Sequence, residues 1–210
     1  MQVADALSRA SLSEQIRDRL LARIMEGTLK PGDRLVELKI AAEMETSQAP
    51  VREAIRELEA IGIVESMRNK GSRVRVIGDD ELKDMYDVRA QLEGYAAELA
   101  ARRKAAIADD LRACIEDMKK AARKKDSAAF AEHNSTFHRM IVDAAGNVIL
   151  ADLWETLNVK VRTFVNVTRS QLDLNEIALS HADIADAIAS GSASKARKAA
   201  EQHVLGNKPS

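Results

Sequence analysis

The sequence predicts a mainly α-helical protein, with an N-terminal winged helix-turn-helix and a C-terminal antiparallel all-α bundle of six or seven helices. Three observations support this fold class. Only three prolines occur in 210 residues, so most of the chain can be helical. Residues 31–76 contain two short helical patterns followed by a basic β-hairpin pattern, which is the order of a winged helix-turn-helix. From residue 79 onward, amphipathic helical segments follow one another with short connections, as in a helical bundle.

The first predicted domain spans residues 8–77 and begins with three helices. Apolar residues recur at helical spacing along the first of them, at about 13–25. A second, short helix is expected at about 36–44. The third is expected at about 48–60, because Ser47 is a typical N-cap residue and the apolar residues after it again recur at helical spacing. A tight polar turn joins the second and third helices, which is typical of a helix-turn-helix.

A β-hairpin is predicted to follow the third helix. Its strands are expected at 63–65 and 74–76, and Gly71 permits a tight turn between them. The stretch from 66 to 76 contains no acidic residue and four basic ones beyond Met67, namely Arg68, Lys70, Arg73 and Arg75. Such a hairpin suits a wing that rests on a phosphate backbone, although a solvated surface hairpin has the same composition.

Charge and aromatic content narrow the class of partner. The formal net charge is only -1, so the whole chain does not indicate a nucleic-acid partner. Arg52 and Arg56, however, lie four residues apart and project from one outward face near the start of the third helix, as in a recognition helix. All six aromatic residues lie beyond residue 85, which counts against stacking on single-stranded nucleic acid. We therefore expect binding to double-stranded DNA.

The stretch 12–76 resembles the GntR family of bacterial transcription regulators. The positions that match the family pattern are Pro31-Gly32, Arg34-Leu35, Ser47, residues 50–55, Leu58, Gly62 and Gly71. The resemblance implies a homodimer that binds a DNA operator through two half-sites. It assigns DNA contacts to seven positions, which are Arg34, Ser47, Gln48, Ala49, Arg52, Lys70 and Gly71.

Gln48 departs from the family pattern, which usually has arginine at this position. Arginine makes two hydrogen bonds to O6 and N7 of guanine, whereas glutamine pairs in the same way with N6 and N7 of adenine. We therefore expect an operator that differs from the common family site at the base contacted by this residue.

The second predicted domain spans residues 78–210 and consists of successive helical segments. They are expected at about 80–104, 108–124, 127–145, 148–170, 174–190 and 193–206. Gly146 and Gly191 follow two of these segments, as glycine commonly does just beyond a helix end. The short connections predict that neighbouring helices are antiparallel.

Three of the four histidines lie on the apolar faces of separate predicted segments. His138 shares its face with Asn134 and with inward apolar residues, and His181 and His203 also lie in apolar stripes. A single such histidine is usually a hydrogen-bonded core residue. Three that converge are different, because a shared cation satisfies several buried imidazoles at once. His133 lies on another side of its helix and is expected to face solvent.

Residues 80–205 resemble the FCD ligand-sensing domain, which is attached to the DNA module in the FadR-like branch of the GntR family. The matching pieces are Val88-Arg89, Leu92-Glu93, Asn134, Phe137-His138, residues 144–147, His181, Ile184 and His203. Metal-binding members of that family use one aspartate and three histidines. The resemblance therefore implies a metal site at Asn134, His138, His181 and His203, with Asn134 where aspartate is common.

A divalent metal ion at this site is expected to be Zn or Ni, because both tolerate imidazole ligands. Asn134 contributes no negative charge, so the metal keeps its full positive charge and attracts an anionic ligand. The resemblance thus implies a small carboxylate effector. Arg89 matches the arginine of the family's first helix and could hold the carboxylate through two hydrogen bonds. Arg162 is a weaker candidate for binding the effector, since its position is equally typical of a surface arginine or of an arginine in a salt bridge between helices.

Two alternatives stay open for the histidine cluster. A metal-free polar pocket could bind the effector directly. A hydrolase could also use three histidines with open coordination positions. The sequence argues against an enzyme, because it has neither an H-E-x-x-H motif nor a glutamate three residues before any histidine.

The location of the protein is predicted from what the sequence lacks. It has a single cysteine, Cys114, on an apolar helical stripe, so no internal disulfide can form. It has no signal-peptide pattern at the N-terminus and no apolar run long enough to span a bilayer. We therefore expect a cytoplasmic protein without a membrane partner.

Overall fold

The computed structural model describes residues 11–67, 71–170 and 172–209. The chain divides after Val76 into two compact units. The first is a small helical unit with a three-stranded sheet, and the second is all-helical. The predicted fold class, a winged helix-turn-helix followed by a helical bundle, is therefore confirmed.

The first unit contains three helices and three short strands. In chain order they are α1 (Leu12–Met25), β1 (Arg34–Leu35), α2 (Glu37–Glu43), α3 (Gln48–Ala60), β2 (Val64–Met67) and β3 (Gly71–Val74). The sheet is antiparallel in the order β1-β3-β2, with Val64 opposite Val74 and Arg34 opposite Arg73. Its core includes Leu20 of α1 and Val51 and Leu58 of α3, all fully buried, as expected from the apolar spacing.

The strands differ in detail from those predicted. β2 and β3 are found at 64–67 and 71–74, so Arg75 and Val76 lie beyond the sheet. The hairpin is therefore tighter than predicted, with Met67 opposite Gly71 at its tip. β1 was missed, because two residues are too short to show the alternation that marks a strand. The predicted basic wing residues Arg68 and Lys70, with Asn69 between them, lie outside the described residues.

The second unit contains eight helices in its described part. They are α4 (Asp79–Arg102), α5 (Ala108–Arg123), α6 (Ser127–Ala144), α7 (Val148–Thr156), α8 (Val159–Arg169), α9 (Leu174–Ser180), α10 (Ala182–Ala189) and α11 (Ala193–Gly206). Two predicted segments are each divided. Asn158 adopts a left-handed conformation with φ 48°, which asparagine tolerates, and separates α7 from α8. His181 separates α9 from α10, because it is the C-cap of α9 and the N-cap of α10.

The core of the second unit brings the histidine-bearing helices together. Phe130 and Phe137 of α6 are fully buried. α4 packs along α11. A Cβ at Gly94 would lie 2.6 Å from Cγ of Glu201, so a larger residue there would require the Glu201 side chain to move. None of the described helices is long and apolar enough to cross a membrane.

Candidate functional site

Three buried imidazoles meet inside the second unit. His138 comes from α6, His181 from the α9–α10 junction and His203 from α11. The ring centroids of His181 and His203 are 4.0 Å apart, and that of His138 lies 5.2 Å and 5.3 Å from them. One ring nitrogen from each lies within 4.8 Å of the others. The predicted convergence of the three histidines is thus present in the structure. His133, by contrast, is only half-buried.

The outer ring nitrogen of each histidine is occupied by a protein group. Nδ1 of His181 donates to the Ile177 carbonyl oxygen at 2.7 Å. Nδ1 of His203 lies 2.9 Å from the Ser180 hydroxyl oxygen, and that hydroxyl already donates to Ile177. The Ser180 oxygen therefore accepts the His203 proton. These contacts place the proton of each ring on Nδ1 and leave Nε2 with a lone pair.

His138 follows the same pattern with a charged partner. Its Nδ1 lies 2.8 Å from Oε2 of Glu93, although the two groups are not aligned for a straight hydrogen bond. A carboxylate beside Nδ1 favours the proton on that nitrogen. Within the described part of the chain, Nε2 of His138 is buried and has no hydrogen-bond partner. A buried imidazole nitrogen without a partner is costly, so this lone pair is available to a ligand.

Asn134 completes the cluster. Its Oδ1 lies 3.2 Å from Nε2 of His181, and its Nδ2 lies 3.5 Å from the Thr163 hydroxyl. If Nε2 of His181 carries a lone pair, then two electron-pair donors face each other. Two arrangements relieve this clash: a cation between them, or an amide turned so that its nitrogen donates to the ring. The four predicted ligands therefore fit a divalent ion, since imidazole nitrogen and amide oxygen both coordinate such ions.

The histidines are held neutral, as metal ligands must be. Burial lowers the pKa of His181 and His203 well below the usual value, and the neighbouring imidazoles lower it further. Burial also lowers the pKa of His138, although the Glu93 carboxylate opposes this effect. A neutral imidazole has a lone pair to offer to a metal ion or to a hydrogen-bond donor.

Glu93 is a buried carboxylate that the sequence analysis did not assign to the site. Arg89 donates to its Oε1 at 2.6 Å, and the Trp154 indole N–H donates to the same oxygen at 2.8 Å. Burial raises the pKa of Glu93, but the charge of the Arg89 guanidinium and the interaction with the His138 ring outweigh burial and lower this pKa to about 2. Glu93 is therefore ionised, and Arg89 balances its charge. The spacing of Arg89 and Glu93, four residues apart on one helix face, could have indicated this pair.

A small cavity adjoins the cluster and brings the predicted effector residue Arg89 near the predicted metal ligands. Asn134, His203 and Arg89 line it, together with Thr163 and other residues of α4, α8 and α11. Arg89 contributes Nη1, which lies 3.5 Å from the Thr163 hydroxyl. The structure does not bring Arg162 to this cavity. Instead, Nη1 of Arg162 on α8 donates to Oε1 of Glu81 on α4 at 2.8 Å. Arg162 therefore forms a salt bridge between two helices, which was the other interpretation of this residue.

The predicted DNA-contacting residues that the structure describes lie at the start of α3 and on the paired strands β1 and β3. Ser47, Gln48 and Ala49 are exposed at the start of α3, and Ser47 is the N-cap without a capping hydrogen bond from its side chain. Arg34 on β1 and Gly71 on β3 are also exposed, and these strands pair in the sheet. Lys70 lies outside the described residues. Uncapped N–H groups at the start of a helix are suited to bind phosphate.

Arg52 is exposed on α3 and forms an ion pair that the sequence analysis did not predict. Its Nε donates to Glu37 Oε2 at 3.0 Å, and its Nη2 donates to the same oxygen at 2.8 Å. Glu37 belongs to the first turn of α2. Glu37 lies fifteen positions before Arg52 and on another helix, so only the packing of α2 against α3 could reveal the pair.

Comparison with known proteins gives two family matches. The family described as bacterial regulatory proteins, gntR family, matches residues 12–74. The family described as FCD domain matches residues 84–206. Together the two matches cover both units of the structure.

Individual relatives agree with these matches. The chain is 38% identical over 203 residues to a probable D-xylose utilization operon transcriptional repressor of Paenarthrobacter nicotinovorans, which covers 97% of this chain and 90% of the relative. It is 30% identical over 160 residues to the gluconate operon transcriptional repressor of Bacillus licheniformis, covering 76% and 65%. The solved structure of E. coli McbR/YncC has the same fold, with a TM-score of 0.79, 23% identity and coverage of 95% and 96%. Both sequence relatives are named as operon transcriptional repressors, as expected for a DNA-binding regulator and not for a hydrolase.

Proposed function

Because this chain belongs to the GntR family of bacterial regulatory proteins and contains an FCD domain, it is a transcriptional regulator, and we propose that a small carboxylate effector controls its binding to a DNA operator. We further propose that the effector binds at or near a divalent metal ion in the second unit. The protein would act as a repressor and as a homodimer. Repression is supported by the two relatives, each of which is named as an operon repressor.

The metal proposal rests mainly on one observation, which is the direction of the three imidazoles. Each Nδ1 faces a protein acceptor, and Nε2 of His181 lies 3.2 Å from the Asn134 amide oxygen. One ring nitrogen of each histidine lies within 4.8 Å of the others. This is the usual arrangement of metal-binding histidines, whose second nitrogen is held by a carbonyl or a carboxylate. Zn or Ni suits such a ligand set. A bound ion would supply positive charge and open coordination positions at the edge of the cavity.

The effector proposal follows from the charges around the cluster. The three histidines are neutral and Asn134 has no charge, while Glu93 is paired with Arg89. A divalent ion would therefore keep most of its positive charge in a buried site, where uncompensated charge is costly. A carboxylate bound beside the ion would neutralise it, and the cavity, whose volume is only about 10 Å³, would have to widen to admit one. Arg89 already lines this cavity and could add a hydrogen bond to the ligand.

Apolar side chains on the second unit support the homodimer. Val148, Ile149 and Leu153 of α7 are largely exposed, and so are Val88 and Tyr95 of the adjoining helix α4. An exposed apolar surface on two neighbouring helices is typical of a subunit interface. A dimer also matches the two half-sites that a helix-turn-helix regulator contacts on DNA.

Regulation would then work through the dimer. Binding of the effector would order the helices around the cavity and change the spacing of the two recognition helices. A coupling free energy of about 1–3 kcal/mol is typical of such regulators. His181→Ala should weaken the response to effector and leave DNA binding in place, whereas Arg52→Ala should do the reverse.

Metal content is the first experiment. The protein is purified without a nickel column and analysed for bound metals, then titrated with Zn²⁺ or Ni²⁺ after chelation. We expect close to one ion per chain, and we expect His181→Ala to lose it. His133→Ala is the matched control, because His133 is half-buried and lies outside the cluster. Clearly substoichiometric metal, together with no binding on titration, would contradict the metal proposal.

The effector class is tested separately by thermal shift. D-gluconate and D-xylose are suitable probes, because the relatives regulate gluconate and D-xylose operons. A carboxylate effector predicts stabilisation by gluconate or a related acid, enhanced by added metal. Stabilisation by neutral sugars alone would contradict it.

The metal-free pocket is the second candidate function. It is favoured by the contacts of Ser180 with His203 and of Asn134 with His181, since these partners could satisfy two rings without a metal. The nitrogen of His138 that has no partner counts against it. Effector binding that survives complete chelation would support this candidate.

A further inference from the structure

The ion pair between Glu37 and Arg52 has a geometry that bears on DNA recognition. Glu37 uses both carboxylate oxygens on one edge of the Arg52 guanidinium: Nε lies 3.2 Å from Oε1 and 3.0 Å from Oε2, and Nη2 lies 2.8 Å from Oε2. The two side chains come from different helices, α2 and α3. Each side chain is partly exposed, by 52% for Arg52 and 32% for Glu37.

A guanidinium group is planar and has two edges that each offer a pair of parallel N–H donors. One edge contains Nε and Nη2, and Glu37 occupies it. The other edge contains Nη1 and the second N–H of Nη2. This second edge points away from Glu37 and matches the O6 and N7 acceptors of guanine, which is the most common specific contact in the major groove.

We propose that Glu37 is a positioning residue that fixes Arg52 for reading a guanine in the operator. The carboxylate holds the plane of the guanidinium and so reduces the side-chain entropy lost on contact with a base. It also offsets the positive charge of Arg52, which lowers its attraction to phosphates at random positions on DNA. Glu37 would therefore favour sequence discrimination over general affinity. This inference rests on the proposed DNA contact of Arg52.

An exposed ion pair adds little to folding stability, so stability alone does not account for the two-oxygen contact. A different role is conceivable for Arg52 itself. If Arg52 left Glu37 and neutralised a phosphate, then Glu37 would only compete with DNA. Removal of Glu37 would in that case raise the affinity for every sequence equally, without any change in the selected bases.

The experiment is selection of binding sites from a random duplex DNA library by the full chain. It compares the wild type with Glu37→Gln, Arg52→Gln and Glu53→Gln. Glu53→Gln is the matched control, because Glu53 is an exposed acid on the same helix as Arg52. Its ion pair is with Arg56, at 3.9 Å, whereas the ion pair of Arg52 is with Glu37. Both glutamate variants remove one negative charge near the DNA. The affinity of each protein for one fixed random duplex is measured by fluorescence anisotropy over a range of salt concentrations.

We expect the wild type to select one guanine per half-site that Glu37→Gln and Arg52→Gln no longer require. The preference for that base should fall by about tenfold, the usual value of one specific base pair. Glu37→Gln should bind the random duplex more tightly than the wild type does, and Glu53→Gln should keep the selected guanine.

Three outcomes would overturn the proposal. If Glu37→Gln selects the same bases as the wild type while Arg52→Gln loses one, Arg52 reads DNA without help from Glu37. If Arg52→Gln keeps all selected bases, the DNA contact assigned to Arg52 itself is wrong. If Glu53→Gln loses the same guanine as Glu37→Gln, the effect reflects general charge and not the position of Arg52.

Discussion

Lowering the pH should destabilise the metal-free second unit, because it contains buried neutral histidines. Burial lowers the pKa of His181 and His203 well below the ordinary value, and that of His138 less strongly. In the unfolded chain these groups take up protons near pH 6.5. The unfolded state therefore binds more protons than the folded state below pH 6.5. Their contribution to stability is fully present above that pH and is lost as the pH falls toward the lower folded pKa.

The magnitude follows from the number of histidines. Each one that stays neutral in the fold costs about 1–2 kcal/mol of unfolding free energy at pH 5.5 relative to its value well above pH 6.5. His181 and His203 together thus account for about 3 kcal/mol. His138 contributes less to this pH dependence, because the Glu93 carboxylate opposes the lowering of the His138 pKa by burial. Glu93 itself acts in a separate window. Its pKa is about 2, so its contribution is present above the unfolded value near 4.5 and is lost only as the pH falls below it.

The assay is urea unfolding in chelator at pH 7.5 and pH 5.5. The chain has a single tryptophan, Trp154, which is buried in the second unit, so its fluorescence reports on that unit alone. His181→Asn and His203→Asn should each reduce the pH dependence of the unfolding free energy by about 1–2 kcal/mol, whatever their effect on absolute stability. His133→Asn is the control and should leave the dependence as it is in the wild type. Equal stability of the wild type at both pH values would refute the reasoning.

Further predictions concern DNA reading, assembly and packing. Gln48→Arg should change one selected base from adenine to guanine, and a wild-type site that already requires guanine there would contradict the assignment. If the proposed dimer forms through α7, Ile149→Glu should convert it to monomers in sedimentation, whereas Leu38→Glu, at an exposed apolar side chain of the first unit, should not. Phe137→Ala should lower the unfolding free energy of the second unit by about 3–5 kcal/mol, because Phe137 is fully buried. If the unfolding free energy in the Trp154 urea assay fell by less than about 1 kcal/mol, the surrounding side chains would have closed the cavity left by Phe137.

The sequence was sufficient for the fold class because its evidence is local. The order of short helices and hairpin, the cap residue Ser47 and the apolar face of α3 all depend on neighbours within a few positions. The same holds for the inward direction of His138, since helical spacing alone places it among apolar residues. Errors occurred where local signals are weak. The two-residue strand β1 has no pattern of its own, and the break at His181 has no glycine or proline to mark it, since the His181 backbone itself keeps helical angles.

The sequence by itself determined which modules this protein has and which histidines face inward, because spacing along a helix sets the side of each residue. Only the tertiary structure decided which groups meet. In the structure, the Nδ1 atoms of the three rings face protein partners and Arg89 pairs with Glu93. Arg162 lies outside the cavity and pairs with Glu81, and Glu37 contacts Arg52. Such contacts join residues from about fifteen to more than eighty positions apart, or depend on side-chain rotation, and neither is encoded in local periodicity.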